Sequence, residues 1–208
     1  MRAVTTRVGT GTERLTLQGA GRLYGATLAL APVTLRLEEG SVCVVTGANG
    51  SGKTTLLRIA AGVTAPTRGT RTADVPALYL RSGDGARSGQ TVRQAVAFAA
   101  ALGGVGDAEQ IIREVGLGPL SQHRSSALSS GLRARLTFAV ALACRPALVC
   151  LDEPTAHLDP EGAVLAGVVV ARLADVGAAV LVATHDRDFL IERADARLCL
   201  ERGHLVPT

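Results

Sequence analysis

A glycine-rich segment places one lysine and one threonine where they could bind phosphate. Residues 47–54 read GANGSGKT and match the pattern G-x-x-x-x-G-K-[ST], between an apolar run and a helical pattern. The glycines let successive backbone N–H groups surround phosphate oxygens, and the helix directs its positive N-terminus toward them. Lys53 is therefore predicted to contact the β- and γ-phosphates of a nucleotide, and Thr54 to hold Mg²⁺.

Lys53 is also the only lysine in the chain. The remaining residues among the 22 Lys and Arg are all arginines. Arginine is a rigid planar fork, whereas lysine is a compact charge on a flexible stem, so the two are not interchangeable. The single lysine favours a phosphate-binding function over the alternative of a glycine-rich turn that only caps a helix.

Two adjacent carboxylates end an apolar run further along the chain. Residues 148–153 read LVCLDE, and ligands of open parallel sheets bind at the carboxyl ends of such strands. Asp152 is predicted to organise Mg²⁺, and Glu153 to orient or deprotonate an attacking water. Strands often end in acidic loop residues, so the pair is a weak signal alone and gains weight from the upstream phosphate loop.

The composition fits one domain that buries a full core. The chain has 208 residues, 47% of them hydrophobic, and a net charge of +4. Its arginines are dispersed, so no nucleic-acid partner is expected. Its four cysteines lack metal-site spacing, which fits a reducing compartment. No apolar run approaches the roughly 18 residues that span a bilayer and no secretory leader is recognisable, so we expect a cytoplasmic location.

Short apolar runs alternate with helical patterns along the chain, which predicts an α/β fold with a mainly parallel sheet. We predict short strands in the first forty residues, a turn-rich connection at 62–74, and an inserted helical lobe at roughly 83–130 within a single domain, 1–208. Strands are predicted at 33–38, 41–46, 75–80, 147–151 and 178–183, helices at 53–61, 91–102, 108–115, 130–143, 162–173 and 186–194, and a terminal hairpin at 197–205.

Three further segments resemble the ATP-binding subunits of ABC transporters. Residues 147–160, ALVCLDEPTAHLDP, resemble the Walker B and D-loop stretch of that family. Residues 128–132, LSSGL, resemble its LSGGQ signature, and residues 183–186, ATHD, its switch-histidine segment. The segments follow the family's order and cover nearly the whole chain. The signature separates this family from other phosphate-loop enzymes.

The resemblance implies roles for particular residues. It makes His185 a catalytic residue beside Glu153, Asp159 the D-loop aspartate, and Tyr24 an aromatic that stacks on adenine. The signature residues that would act across a dimer are Ser129, Ser130 and Gly131. The implied nucleotide-binding residues are Tyr24, Gly47, Ala48, Asn49, Gly50, Ser51, Gly52, Lys53, Thr54 and Thr55.

The resemblance also implies architecture and partners. It implies a P-loop NTPase core with an N-terminal antiparallel β lobe and an inserted helical lobe. Two such chains, identical or different, would form a head-to-tail dimer around two ATP molecules with Mg²⁺. Hydrolysis would power a separate integral-membrane permease, with the chain peripheral on the inner face of the membrane. Small exporters and haem exporters have similarly compact ATPases.

Two positions depart from the family pattern. Ser82 stands where the family usually has glutamine and would reach Mg²⁺ only through a water, so we expect slow hydrolysis. Leu132 replaces the final glutamine of the signature. Two alternatives stay open: an ABC-type ATPase acting on nucleic acid, ribosomes or iron–sulfur assembly, and a non-hydrolysing partner in a heterodimer. The retained Glu153 and His185 argue against the second.

Overall fold

The computed structural model describes residues 5–186, 188–190 and 192–206 and organises them around two β-sheets. The strands are β1 Thr5–Val8, β2 Glu13–Tyr24, β3 Thr27–Glu38, β4 Val42–Thr46, β5 Arg68–Thr72, β6 Ala77–Arg81, β7 Leu148–Asp152, β8 Ala179–Thr184, β9 Ala196–Glu201 and β10 His204–Val206. The helices are α1 Lys53–Ala60, α2 Val92–Gly103, α3 Ala108–Glu114, α4 Ser130–Cys144 and α5 Pro160–Asp175. The predicted α/β fold is confirmed.

The larger sheet has six strands in the order β10-β9-β4-β8-β7-β6. All neighbours are parallel except the β9–β10 hairpin, which matches the predicted terminal hairpin. Strands β4, β7 and β8 are buried along their whole length. Burial on both faces explains their continuous apolar sequences. Because parallel strands end at the same edge, this sheet brings together the segments that follow β4, β7 and β8.

The smaller sheet has the order β1-β3-β2-β5 and is antiparallel except for the β1–β3 pair. Its inner residues pack with α1 against one face of the larger sheet, in a core that includes Leu17, Leu35 and Leu57. Helices α2 to α5 pack on the opposite face, in a second core around Phe138 and Val169. The larger sheet is therefore the middle layer of the molecule.

Helices α2 and α3 and two 3₁₀ turns, Gly118–Leu120 and Ser125–Ala127, lie between β6 and α4. A reciprocal cap starts α2: the Gln94 N–H donates to the Thr91 hydroxyl, and the Thr91 N–H donates to the Gln94 side chain. Such a cap contributes about 1 kcal/mol. These helices follow β6 in the chain, so this strand connects them to the larger sheet.

The two faces of β6 meet different parts of the protein, because successive side chains of a strand point to opposite faces. Leu78 and Leu80 line a surface groove against α2, which we call the β6–α2 groove. Tyr79 packs against the opposite core, and Arg81 lines a cavity on that other side. Within the residues that the structure describes, β6 is the last strand of its sheet and pairs with β7 alone.

Two predictions for the N-terminal half are wrong. The predicted short strands include β2 and β3, which are 12 residues long each. The segment predicted as a turn-rich connection contains β5, whose RGTRT sequence has no apolar pattern. Strand β5 forms because β2 offers it an antiparallel main-chain ladder, and the Arg71 guanidinium donates to the Ala60 carbonyl at 2.8 Å.

The helix predicted at 186–194 is also wrong. The described residues of this segment form bends and turns, and residues 187 and 191 lie outside the described residues. The Asp186 carboxylate accepts the backbone N–H groups of Asp188 and Phe189, and Leu190 has a φ of +58°. Short polar side chains that bind nearby N–H groups compete with helix formation in this way.

Candidate functional site

A cavity of about 540 Å³ opens at the carboxyl edge of the larger sheet. It is bounded by the β3 start, the β4–α1 loop with the first turn of α1, the end of β6 and the segment after β7. The sheet therefore gathers the phosphate loop and the acidic pair around one space. The predicted site residues that line it are Asn49, Gly50, Ser51, Gly52, Lys53, Thr54, Thr55, Ser82, Asp152 and Glu153.

The β4–α1 loop has a backbone that requires glycine. Gly47 and Gly52 have φ of +147° and +105°, and a Cβ on Gly52 would lie 2.5 Å from the Ala29 carbonyl oxygen. The buried Lys53 ammonium donates to the carbonyls of Gly47 (2.7 Å) and Ala48 (3.3 Å). Ser51 Oγ is buried and lacks a hydrogen-bond partner within the described part of the chain. This loop can thus offer donors to a ligand that fills its curve.

The buried Asp152 carboxylate is held by two hydroxyl groups. Its Oδ2 accepts from Thr54 Oγ1 at 2.8 Å and from Tyr79 Oη at 2.9 Å. Its Oδ1 is buried and has no hydrogen-bond partner among the described residues. Carboxylate and hydroxyl oxygens suit Mg²⁺, which prefers oxygen ligands and keeps several waters. The residues present therefore fit a magnesium site.

Glu153 stands between the lysine and the predicted switch histidine. Its Oε1 lies 3.2 Å from Lys53 Nζ, and its Oε2 lies 2.8 Å from His185 Nδ1. The backbone at Glu153 is left-handed, with φ of +52°, and its N–H donates to the Ala183 carbonyl. A non-glycine residue in this conformation costs about 1–2 kcal/mol and is found most often where function requires it. The carboxylate is thus fixed between two groups that bind anions when they carry positive charge.

Ser82 lines the cavity but is bound to the acidic segment. Its hydroxyl donates to the Ala156 carbonyl at 3.2 Å, and its N–H donates to the Asp152 carbonyl. These two contacts tie the end of β6 to the segment after β7. The serine therefore has a local partner inside the chain.

Comparison with known proteins agrees with this geometry. The family model described as ABC transporter matches residues 30–156, which is more than half of the chain. This chain belongs to the ABC transporter family. ATP-binding domains of this family are ATPases, so the chain is an ATP-binding and ATP-hydrolysing domain.

Relatives of this ABC ATPase include exporters and importers. The cytochrome c biogenesis ATP-binding export protein CcmA of Cereibacter sphaeroides is 36% identical over 172 residues, which is 82% of each chain. The zinc import ATP-binding protein ZnuC of Roseobacter denitrificans is 33% identical and covers 91% of this chain and 75% of its own. The lipoprotein-releasing ATP-binding protein LolD of Alcanivorax borkumensis is 33% identical, covering 77% and 81%.

The fold matches solved ABC structures. The structure of an ATP-binding subunit of an ABC transporter aligns with a TM-score of 0.82 at 22% identity, over 92% of this chain and 88% of that one. A nucleotide-free ATP-binding cassette aligns with a TM-score of 0.77 at 19% identity, over 94% and 90%. No helix of the described residues is long and apolar enough to cross a membrane.

Several predicted site residues of this ABC domain lie outside the cavity lining. Gly47 and Ala48 line a neighbouring pocket on the far side of the phosphate loop. Tyr24 lies at the β2–β3 turn, 45% exposed, with the Arg22 guanidinium 4.8 Å from its ring centroid. One ring face is therefore covered by Arg22. The residues of β3 that line the cavity next to this turn are Thr27, Leu28 and Ala29.

Two of the residues predicted for the signature and the D-loop, Ser129 and Asp159, are helix N-caps. The Ser129 hydroxyl accepts the Leu132 N–H at the start of α4, and Asp159 Oδ1 accepts the Gly162 N–H at the start of α5. Ser129 and Ser130 are exposed, and Gly131 packs close to the His157 carbonyl. None of them lines the cavity of this chain. Both caps leave a helix N-terminus, with its partial positive charge, at the surface.

Three polar residues at the site have no role predicted from the sequence. Arg81 and His157 line the cavity, and Tyr79 binds Asp152. Arg81 and His157 lie within or beside the predicted motifs, so adjacency alone could have indicated them. The signal for Tyr79 was chemical, because a tyrosine on a half-buried strand needs a partner for its hydroxyl group.

Proposed function

We propose that this chain is the ATP-hydrolysing subunit that powers a separate membrane permease from the cytoplasmic face of the membrane. The observation that carries the proposal is the meeting of Lys53, Asp152, Glu153 and His185 at one edge of the sheet. An ammonium, a metal-binding carboxylate, a second carboxylate and an imidazole are the groups that phosphoryl transfer to water uses. Membership in the ABC transporter family supports the permease as the partner.

The proposed chemistry assigns one role to each group. Lys53 and the loop N–H groups bind the β- and γ-phosphates, and Glu153 orients and deprotonates the attacking water. Thr54 and Asp152 would hold Mg²⁺, which would neutralise the charge that develops on the phosphates. His185 contacts the γ-phosphate and, through its 2.8 Å contact, fixes the Glu153 carboxylate. The further residues proposed to bind nucleotide are Tyr24, Gly47, Ala48, Asn49, Gly50, Ser51, Gly52 and Thr55.

We further propose that two chains pair head to tail, so that each signature meets the ATP of the other chain. The position of Ser129, Ser130 and Gly131 outside their own cavity supports this arrangement. The exposed N-terminus of α4 favours the negative γ-phosphate of a partner, and Asp159 would lie at the same interface. One domain spanning 1–208, with a helical lobe at roughly 83–130, is the unit of this dimer.

The β6–α2 groove is the proposed seat of the permease. Phe98 and Leu102 are one helical turn apart on α2, and their exposed fractions are 63% and 67%. With Leu78 and Leu80 they border a groove of about 340 Å³. The polar residues that border the same groove are Asp84, Arg87 and Gln90. Exposed apolar side chains with such a polar border are typical of an interaction site. A short amphipathic segment of the permease that exposes apolar side chains fits the groove.

Phe98→Asp is expected to weaken permease binding about thirtyfold or more, because a buried aromatic anchor contributes about 2 kcal/mol or more at an interface. The measurement is co-purification of the chain from detergent-solubilised membranes that contain the permease. Val63→Asp is the matched control, because Val63 is 52% exposed but lies outside the groove. Equal retention of the two variants would argue against the groove as the seat of the permease.

We propose export as the direction of transport. CcmA is named an export protein and covers an equal share of both chains, which supports a small exporter or haem-exporter-like type. The importer ZnuC is similar at 33% identity, so an importer is the competing type. Reconstitution with the permease in vesicles separates the two, because ATP supplied on the side of this chain drives cargo away from that side only in an exporter.

Ser82→Gln is expected to raise the hydrolysis rate about two- to tenfold, the value of one added hydrogen bond. The serine hydroxyl donates to the Ala156 carbonyl at 3.2 Å. A glutamine at this position is long enough to extend past that carbonyl into the cavity. The measurement is phosphate release by the isolated chain, then with the permease. Ser82→Ala removes the same hydroxyl without adding an amide and should show no gain. If Ser82→Gln hydrolyses ATP no faster than the unaltered chain, the serine in place of the family's glutamine is not what limits hydrolysis.

A further inference from the structure

Tyr79 is a hydroxyl donor at the proposed metal site that no motif assigns. It lies opposite Cys150 in the β6–β7 register, on the sheet face that Cys150 shares with Asp152, two residues further along β7. Its Oη lies 2.9 Å from Asp152 Oδ2. Burial, and then the hydrogen bond to Asp152, raise the pKa of Tyr79. The phenol O–H is the donor of this hydrogen bond, and the Asp152 carboxylate oxygen is the acceptor.

A single hydrogen bond does not fix a carboxylate. The terminal torsion of aspartate is broad, so the group turns easily when one donor holds it. In this chain Thr54 and Tyr79 both donate to Oδ2, from α1 on one side and β6 on the other. Two donors fill the hydrogen-bonding capacity of that oxygen, and Oδ1 has no hydrogen-bond partner in the described part of the chain. The pair thus decides which oxygen of Asp152 is available to another ligand.

We propose that Tyr79 is a positioning residue that holds Asp152 so that Oδ1 stays available to the magnesium site. The inference rests on the proposed role of Asp152 at that site. Thr54 is itself a proposed metal-site residue, whereas Tyr79 binds the carboxylate alone. Tyr79 contacts the carboxylate of the proposed metal site directly from β6, whereas the Ser82 hydroxyl is engaged by the Ala156 carbonyl. Partners that orient a metal ligand typically change metal affinity tenfold or more when they are removed.

Tyr79→Phe keeps the ring and removes only the hydroxyl. We expect the Mg²⁺ concentration for half-maximal hydrolysis to rise about tenfold, with the rate restored at saturating Mg²⁺. ATP binding in the presence of EDTA should not change, because Lys53 and the phosphate loop are intact. The binding of Mn²⁺ with ATP, followed by electron paramagnetic resonance, should weaken by the same factor without any turnover.

Ser125→Ala is the matched control. It also removes one buried hydroxyl, which donates to the Arg87 carbonyl at 2.7 Å in the helical part of the chain. This control should leave the Mg²⁺ dependence unchanged. In an Asp152→Asn background, Tyr79→Phe should cause no additional loss of Mn²⁺ binding, because the two residues act through one contact. An unchanged Mg²⁺ dependence in Tyr79→Phe, or equal shifts in Tyr79→Phe and Ser125→Ala, would overturn the inference.

A second measurement leaves the hydroxyl in place. The chain has two tyrosines, so 3-fluorotyrosine labelling gives two ¹⁹F resonances, and Tyr24→Phe identifies that of Tyr79. The Tyr79 resonance should shift when Mg²⁺ is added to the ATP-bound chain, and a fixed resonance would contradict the inference. If Asp152→Asn leaves Mn²⁺ binding unchanged, the proposed magnesium site itself fails. If only Tyr79→Phe has no effect, the site stands and the positioning role is lost.

Discussion

Lys53→Ala is expected to weaken ATP binding about a hundredfold or more. The Lys53 ammonium is the one side-chain cation held beneath the described phosphate loop, by the carbonyls of Gly47 and Ala48. A charge-assisted hydrogen bond contributes about 1.5–3 kcal/mol, and the lysine would make such contacts to two phosphates. The measurement is calorimetric titration with Mg²⁺ and ATP.

Arg36→Ala is the control for the loss of one positive charge. Arg36 is exposed on β3, 3.9 Å from Glu13, and lies outside the cavity lining. The Arg36→Ala variant should bind ATP with the affinity of the unaltered chain. Lys53→Arg separates charge from shape, because the planar guanidinium does not replace the compact ammonium, and it too should bind poorly. Affinity within threefold of the unaltered chain in Lys53→Ala would refute the assignment of the phosphate loop.

Glu153→Gln is expected to lower the hydrolysis rate about 10²- to 10⁴-fold while ATP still binds. The amide keeps the size of the side chain but removes the negative charge that accepts a proton from water. The substitution also removes the negative charge that lies 3.2 Å from the Lys53 ammonium. No carboxylate then competes with phosphate for the lysine, so the ATP affinity should not fall. Because the γ-phosphate persists, the variant should accumulate as an ATP-bound dimer, measured by size exclusion with ATP.

Glu13→Gln is the control for the loss of one carboxylate. Glu13 is exposed at the start of β2. The Glu13→Gln variant should therefore keep the hydrolysis rate and the oligomeric state of the unaltered chain. Steady-state hydrolysis by Glu153→Gln at the rate of the unaltered chain would remove Glu153 as the catalytic base. A monomer with bound ATP and slow turnover would retain the base and reject the proposed dimer.

The meeting of the phosphate loop and the acidic pair at one edge of the sheet could be predicted because each motif is continuous in the sequence. Residues 47–54 and 148–153 each follow or end an apolar strand, and parallel strands carry their ends to one edge. Contacts between segments could not be predicted in the same way. The Lys53–Glu153–His185 chain and the Tyr79–Asp152 bond depend on strand register and side-chain torsions that no local pattern encodes.

Two of the wrong predictions of secondary structure also arise from contacts that no local pattern encodes. Strand β5 carries polar residues and exists because β2 supplies a ladder, so only the tertiary context identifies it. The segment beginning at Asp186 has enough apolar residues for a helix, yet the carboxylate of that aspartate captures two N–H groups instead. Helix propensity is a weak signal over a short segment, and the two hydrogen bonds to this one side chain outweigh it.

If the permease binds the β6–α2 groove as proposed, strand β6 links the binding of ATP thermodynamically to the binding of the permease. Leu78 and Leu80 face the groove, while Tyr79 and Arg81 face the nucleotide side, so the two proposed binding sites lie on opposite faces of one five-residue strand. A permease that favours one position of this strand therefore changes the affinity for Mg²⁺ and ATP. By reciprocity, nucleotide must change the affinity for the permease by the same factor. Measuring permease affinity with and without nucleotide thus reports the coupling free energy of this transporter without observing any transport.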